Sequence, residues 1–172
     1  YAGSQKNIGP AGATIVVVRD DLLDDQMDIT PDVINWKKHV DAPGQCFNTP
    51  CCWSIYMCGL NIDHMLEKGG LEALEKEVEE KAKLIYGAID GSDGYYTNPV
   101  DPAYRSRINV TFRVKKDDEL EKKFLAGAAE ANLIDLKGHR SVGGVRASIY
   151  NAMPLEGVQA LVDYMKKFQE EN

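Results

Sequence analysis

Three groups of chemically capable side chains are spread along this sequence, and the first is a lysine. Lys6 stands in GSQKNIGPAG, a Gly/Pro-rich turn that runs straight into the β-branched stretch ATIVVV. A lysine amine attacks a carbonyl carbon only when neutral, so Schiff-base chemistry needs surroundings that lower its pKa by desolvation or nearby positive charge. Flanking glycines let the backbone approach a bulky ring. The same pattern also suits a surface lysine in an ordinary turn. The second group is KGHRSVGGVRASIY at 137–150, where His139 and Arg140 precede a Gly-Gly pair and Arg146 follows Arg140 by six residues. Arginine grips a carboxylate or phosphate through its planar fork, and histidine adds a switchable donor, so the set suits a small polyanion. A structural ion pair for Arg146 is the alternative. The third is CFNTP at 46–50. Asn48 and Thr49 can donate to a phosphate there, although Asn-Thr-Pro also simply opens turns.

The elements expected to position these groups follow from periodicity. Thr14 to Arg19 reads as a buried strand, and residues 30 to 51, punctuated by Pro31, Pro43, Gly44 and Pro50, read as irregular. A helix is expected from Cys52, with Trp53, Tyr56, Leu60 and Met65 as its apolar face and Gly69-Gly70 as its end. A second helix carries a clear stripe of Leu71, Leu74, Val78, Ala82, Ile85 and Ile89. Its charged face, EKEVEEKAK, reads as solvated.

Beyond the turn DGSDG at 90–94, strands are expected at Tyr95 to Thr97, Ile108 to Val114, Ile134 to Leu136 and Val145 to Tyr150. Asp118 is expected to cap a helix from Glu119 to about Asn132. A last helix starts at MPLEG, with Pro154 in its first turn. The order strand-strand-helix-strand-strand-helix implies a small α/β sandwich layer from about residue 70. The chain is therefore divided into residues 1–70 and 71–172.

Composition limits the functions open to it. The chain has 172 residues, 44% of them hydrophobic, and a formal net charge of −7. Such a chain buries the core of one domain or two small ones. With no Lys/Arg cluster longer than a pair, it offers no electrostatic footprint for nucleic acid or an acidic membrane. ATIVVV is far too short to span a bilayer, which makes the cytoplasm the expected compartment. Cys46, Cys51, Cys52 and Cys58 lack zinc-site spacing, so no metal is expected and the thiols are expected to be reduced.

Taken in order, GSQKNIGPAG, FNTP leading into a helix, and GHRSVGGVRASIYNAMPLEGVQALVDYM resemble the phosphoserine aminotransferases, class V-type pyridoxal-phosphate enzymes of fold type I. The resemblance covers essentially the whole chain. It implies an α/β fold made of part of a large cofactor-binding domain (1–70) and a complete small C-terminal α/β sandwich domain (71–172). It implies that Lys6 bonds to pyridoxal 5′-phosphate and that Gln5 binds the cofactor phosphate. Asn48 and Thr49 are similar to a pair that reaches the cofactor phosphate of the partner subunit, which implies a homodimer with shared sites. His139 and Arg140 match residues that recognise the substrate phosphate, and Arg146 matches the arginine that grips the α-carboxylate.

The implied reaction is transamination between O-phosphoserine with 2-oxoglutarate and 3-phosphohydroxypyruvate with glutamate, a step of serine biosynthesis. Where the family often has Pro-Pro after Asn-Thr, Pro50 is followed here by Cys51. The family's ring-stacking aromatic residue and the Asp that pairs with the pyridine nitrogen belong to a first half absent here, so this chain alone is expected to be inactive or nearly so. Two alternatives stand beside this reading: a non-catalytic domain that binds an anion or a subunit, and an aminotransferase acting on 4-phosphohydroxythreonine in vitamin B6 synthesis.

Overall fold

The computed structural model describes residues 1–172, which separate into two units, Tyr1–Glu67 and Lys68–Asn172. In the first unit, β1 (Ala2–Gly3) pairs antiparallel with β2 (Thr14–Ile15). The loop carrying Lys6 joins them. The expected strand Thr14 to Arg19 is therefore shorter than its β-branched run, and it is not buried: Ile15 is 44% and Val17 89% exposed. Residues beyond Ile15 have no neighbouring strand in this chain to bond with, and a strand exists only as part of a ladder.

The segment expected to be irregular contains one short helix, α1 (Trp36–Asp41), flanked by single 3-10 turns at Asp32–Ile34 and Pro43–Gln45. Asn35 caps α1, its side-chain oxygen accepting from the Lys38 backbone N–H at 3.3 Å. The long helix α2 (Cys52–Glu67) stops where expected, but the face it buries is the opposite one. Ser54 and Cys58 are buried, whereas Trp53 and Tyr56 are each 64% exposed and Leu60 is 45% exposed. Polar bonds to the lysine loop, described below, decide which side of α2 faces inward.

The second unit is built on α3 (Gly70–Asp90), whose stripe from Leu74 to Ile89 is buried as the periodicity requires. Leu71, in the first turn of α3, departs from the stripe at 86% exposure. The sheet is antiparallel, in the order β3 (Tyr96–Thr97), β4 (Asn109–Val114), β5 (Val145–Ser148). Burial alternates strictly along β4, with Val110, Phe112 and Val114 inward. One sheet face lies under α3, α4 (Asp118–Glu130) and α5 (Leu155–Glu171) in a two-layer core. Phe124 sits at its middle, its ring 5.9 Å from Phe112 and 5.1 Å from Phe168 in edge-on contacts. Such rings each contribute roughly 1.5–3 kcal/mol through burial.

Three details differ from the sequence expectation. Asp117, not Asp118, caps α4, accepting from the backbone N–H groups of Glu119 and Leu120. Pro154 precedes α5 as its N-cap rather than entering its first turn. Ile134 to Leu136 form no strand; Ile134 is 70% exposed, and pairing is limited to an isolated bridge between Lys137 and Val145.

Candidate functional site

The Lys6 loop is organised from inside by Ser4, which is completely buried. Its carbonyl accepts from the backbone N–H of Lys6 at 2.7 Å and of Gly9 at 2.8 Å, and its own N–H donates to Ala13 O at 3.0 Å. The Ser4 hydroxyl donates to Pro10 O at 2.5 Å, with Ala13 O a more distant acceptor at 3.0 Å. A serine of this size can close a tight loop on itself because its side chain mimics a backbone group. The result fixes the backbone around Lys6 while Gln5 and Lys6 themselves stay exposed. The Gln5 side chain folds over Gly3, where a Cβ would come within 2.2 Å of Gln5 Oε1. Gly3 thus leaves the cradle that the glutamine amide occupies.

Helix α2 holds the same loop from outside. Ser54 Oγ donates to Ala11 O at 2.7 Å, and Asn61 Nδ2 donates to Asn7 O at 2.8 Å and Ile8 O at 3.0 Å. Gly12 has φ +116°, and a Cβ there would stand 2.5 Å from Ser54 Oγ, so only glycine fits both the turn and the contact. Cys51 Sγ lies 3.2 Å from Ser54 Oγ, and with the Ser54 proton given to Ala11 O the thiol is the donor in this contact. Asn48 and Thr49 are exposed just before α2.

In the second unit, the remaining three residues share one hairpin. Gly138 N–H donates to Gly144 O at 2.8 Å and Arg146 N–H to Leu136 O at 2.7 Å, so residues 136–138 run against 144–146. His139 and Arg140 form the exposed tip. The tip is tight: His139 O accepts from Val142 N–H at 2.9 Å and Gly143 N–H at 2.8 Å. Gly144, at φ +71°, passes so close to Arg113 that a Cβ would meet its Cδ at 2.7 Å. The Ser141 backbone N–H donates to His139 Nδ1 at 3.3 Å, and the Ser141 hydroxyl lies 2.7 Å from the same nitrogen. Nδ1 therefore acts as an acceptor in the neutral ring, which leaves the proton on Nε2 as a donor.

Arg146 lies on β5 opposite Thr111, where the strand turns its half-exposed face. Its Nε is buried and has no hydrogen-bond partner. It borders a cavity of about 490 Å³ lined mainly by apolar side chains, among them Leu133, Leu136, Met153 and Leu161. A buried guanidinium nitrogen without a partner is costly, and an anion would satisfy it. The ion pair considered for Arg146 does not form; Arg113 makes one instead, donating from Nε to Glu121 Oε1 at 2.5 Å.

The positions to which sequence reasoning assigned no role are Ser4, Ser54 and Asn61. Their signal was present as small or polar residues at 54, 58 and 61, spaced by four and three along a helix whose larger apolar residues drew attention to the other side.

Residues 1–161 match the family model for aminotransferase class-V. The chain belongs to the class-V aminotransferase family. It is 53% identical over 169 residues to phosphoserine aminotransferase 2, chloroplastic, of Arabidopsis thaliana, an alignment covering 98% of this chain and 40% of that protein. Among solved structures, phosphoserine aminotransferase from Bacillus circulans subsp. alkalophilus superposes with a TM-score of 0.93 at 43% identity, covering 98% of this chain and 46% of that one. The pyridoxal-phosphate-bound phosphoserine aminotransferase of Trichomonas vaginalis gives 0.87 at 39% identity, covering 95% and 46%. The chain thus has the α/β fold of part of these enzymes and spans less than half the length of each.

Proposed function

We propose that this chain is the C-terminal portion of a phosphoserine aminotransferase that interconverts O-phosphoserine and 2-oxoglutarate with 3-phosphohydroxypyruvate and glutamate. The observation that carries the reading is the 53% identity extending over 98% of the chain, which takes in both units. The residues of the first unit fit a pyridoxal phosphate site: an exposed lysine on an anchored loop and a glutamine folded into the Gly3 cradle.

In this reading Lys6 Nζ holds the cofactor covalently, and Gln5 donates to its phosphate. Asn48 and Thr49 reach the cofactor phosphate of the second subunit of a homodimer. When bound, the cofactor supplies the electron sink that lets the substrate α-C–H bond ionise. Lys6 Nζ, once free of the cofactor, would accept the substrate α-proton and deliver it within the same half-reaction to the cofactor carbon that carries the amino nitrogen, and would run the same transfer in reverse with the second substrate. Arg146 fixes the α-carboxylate with its planar fork, and its place beside apolar walls strengthens that attraction by excluding water. His139 Nε2–H and Arg140 at the hairpin tip bind the substrate phosphate, or the γ-carboxylate of glutamate in the other half-reaction. The 1–70 and 71–172 segments correspond here to part of the large domain and to the small domain, in a cytoplasmic enzyme of serine biosynthesis.

The test is Lys6→Ala in the full-length protein, assayed with both substrate pairs. Loss of at least about 10²- to 10⁴-fold in kcat is expected for a removed proton carrier. Turnover within a factor of two of wild type would overturn the reading. Anion binding that survives Lys6→Ala in a protein without turnover would point to a binding domain.

A further inference from the structure

We propose that Asn61 is a positioning residue for Lys6: its side-chain amide holds the peptide groups that follow the lysine and so sets where Nζ stands. The proposal deepens the proposed function and rests on Lys6 being the cofactor lysine. Three observations carry it. Asn61 Nδ2 donates to the carbonyls of Asn7 and Ile8 at 2.8 and 3.0 Å, the two residues directly after Lys6. Cys58, one turn earlier and buried, fills the space beneath Gly9, where a Cβ would lie 2.7 Å from its Sγ. Ser54, one further turn back, donates to Ala11 O at 2.7 Å.

Residues 54, 58 and 61 fall on one helix face, so the whole loop is laid along a rigid rod at three consecutive heights. Inside the loop, Lys6 N–H and Gly9 N–H both donate to Ser4 O, at 2.7 and 2.8 Å. The internal bonds shape the loop, and the contacts with α2 locate it. Of the three α2 contacts described, that of Asn61 acts on the residue adjoining the lysine. A proton carrier displaced by about 1 Å can lose on the order of 10²-fold in rate. Asn61 touches neither substrate nor reacting atoms, so its removal is expected to lower kcat and leave substrate affinity alone.

The experiment compares wild type, Asn61→Ala, Asn61→Asp and Asn61→Gln in the full-length protein loaded with pyridoxal 5′-phosphate. Asn61→Asp puts a carboxylate against two carbonyls, and Asn61→Gln serves as the conservative variant, so the result does not hang on one substitution folding. Four readouts are taken: borohydride-fixed cofactor at Lys6 by peptide mapping, amide hydrogen exchange across residues 4–12, the pH titration of the bound cofactor's absorbance, and kcat with KM for both substrates. For Asn61→Ala, exchange at the Lys6 and Gly9 amides is expected to accelerate about tenfold. Its kcat should fall about 10- to 100-fold with KM changed less than twofold. The absorbance titration should shift from that of wild type, and Asn61→Gln should recover part of each effect.

Faster exchange with unchanged kcat and titration would overturn the proposal, leaving Asn61 a purely structural contact. Unchanged exchange would overturn it as well. Wild-type protein that takes no cofactor at Lys6 would overturn the proposed function and this inference with it, a failure distinguished by appearing before any variant is compared.

Discussion

Phe112, Phe124 and Met165 in the second unit are at most 1% exposed, while Val17, Trp53 and Tyr56 in the first stand 89%, 64% and 64% exposed. The second unit seals an apolar core between one sheet and three helices. In the first, Cys58 is the one apolar residue that is buried, and the others buried are polar: Ser4, Asn35 and Ser54. Its order comes from hydrogen bonds that shape one loop and tie it to one helix. The comparison separates two jobs: the hairpin carrying His139, Arg140 and Arg146 rides on a self-contained core, and Lys6 rides on a polar clamp.

The largest expected effect tests whether stability really resides in the second unit. Phe124→Ala removes the ring at the centre of that core and should cost about 3–5 kcal/mol by chemical denaturation. Trp53→Ala in the first unit should cost no more than about 0.5 kcal/mol in this chain. Equal costs would erase the contrast. A step smaller, Glu121→Ala removes the carboxylate that accepts from Arg113 Nε at 2.5 Å and from Val114 N–H at 3.1 Å. Because Glu121 is only 6% exposed, the unpaired donors left behind should lower stability by about 2–3 kcal/mol.

Lys81 sharpens the comparison by placing a charge inside the better-packed unit. It is 2% exposed, and its Nζ donates to Tyr150 O and Met153 O, both at 2.9 Å, closing the turn that enters α5. Lys81→Met should cost about 1–3 kcal/mol. Burial lowers the Lys81 pKa from its ordinary 10.5, so as pH rises towards 10.5 the folded chain gives up its proton before the unfolded one does. The unfolded state then binds more protons, and stability rises with pH in that window. Wild-type stability measured against Lys81→Met should therefore improve on approaching pH 10.5, and a flat difference would contradict the assignment.

The smallest effect belongs to Arg105. It pairs with Asp90 at 2.6 Å, but the carboxylate is 54% exposed, so Arg105→Ala should cost about 0.5–1 kcal/mol after solvent screening.

How far these features were legible in the sequence differs between the units for the same reason. The α3 stripe, the alternation of β4 and the caps near α4 and α5 could be read to within a residue or two, because a periodic apolar face has one way to be buried. Thr14 to Arg19 and the Trp53–Tyr56–Leu60 face could not, because pairing stops at Ile15 and that face of α2 stays exposed while its polar side holds the loop. Lys6, His139, Arg140 and Arg146 stood out by residue type and motif. Ser54 and Asn61 did not, because the larger apolar residues of α2 drew attention to its other side, and Ser4 did not, because it serves the backbone of its own loop. The missing strand at Ile134 to Leu136 shows the same limit: its residue types suit a ladder, and tertiary geometry supplies only one bridge.

Under the proposed function, Lys6 is the residue through which this protein holds its cofactor. The measurement that tests it most directly is borohydride reduction of the full-length protein with pyridoxal 5′-phosphate, followed by peptide mass mapping. An adduct confined to the peptide containing Lys6, among all the lysines of the chain, is the predicted result. An adduct spread over several lysines, or placed on another one, would contradict it.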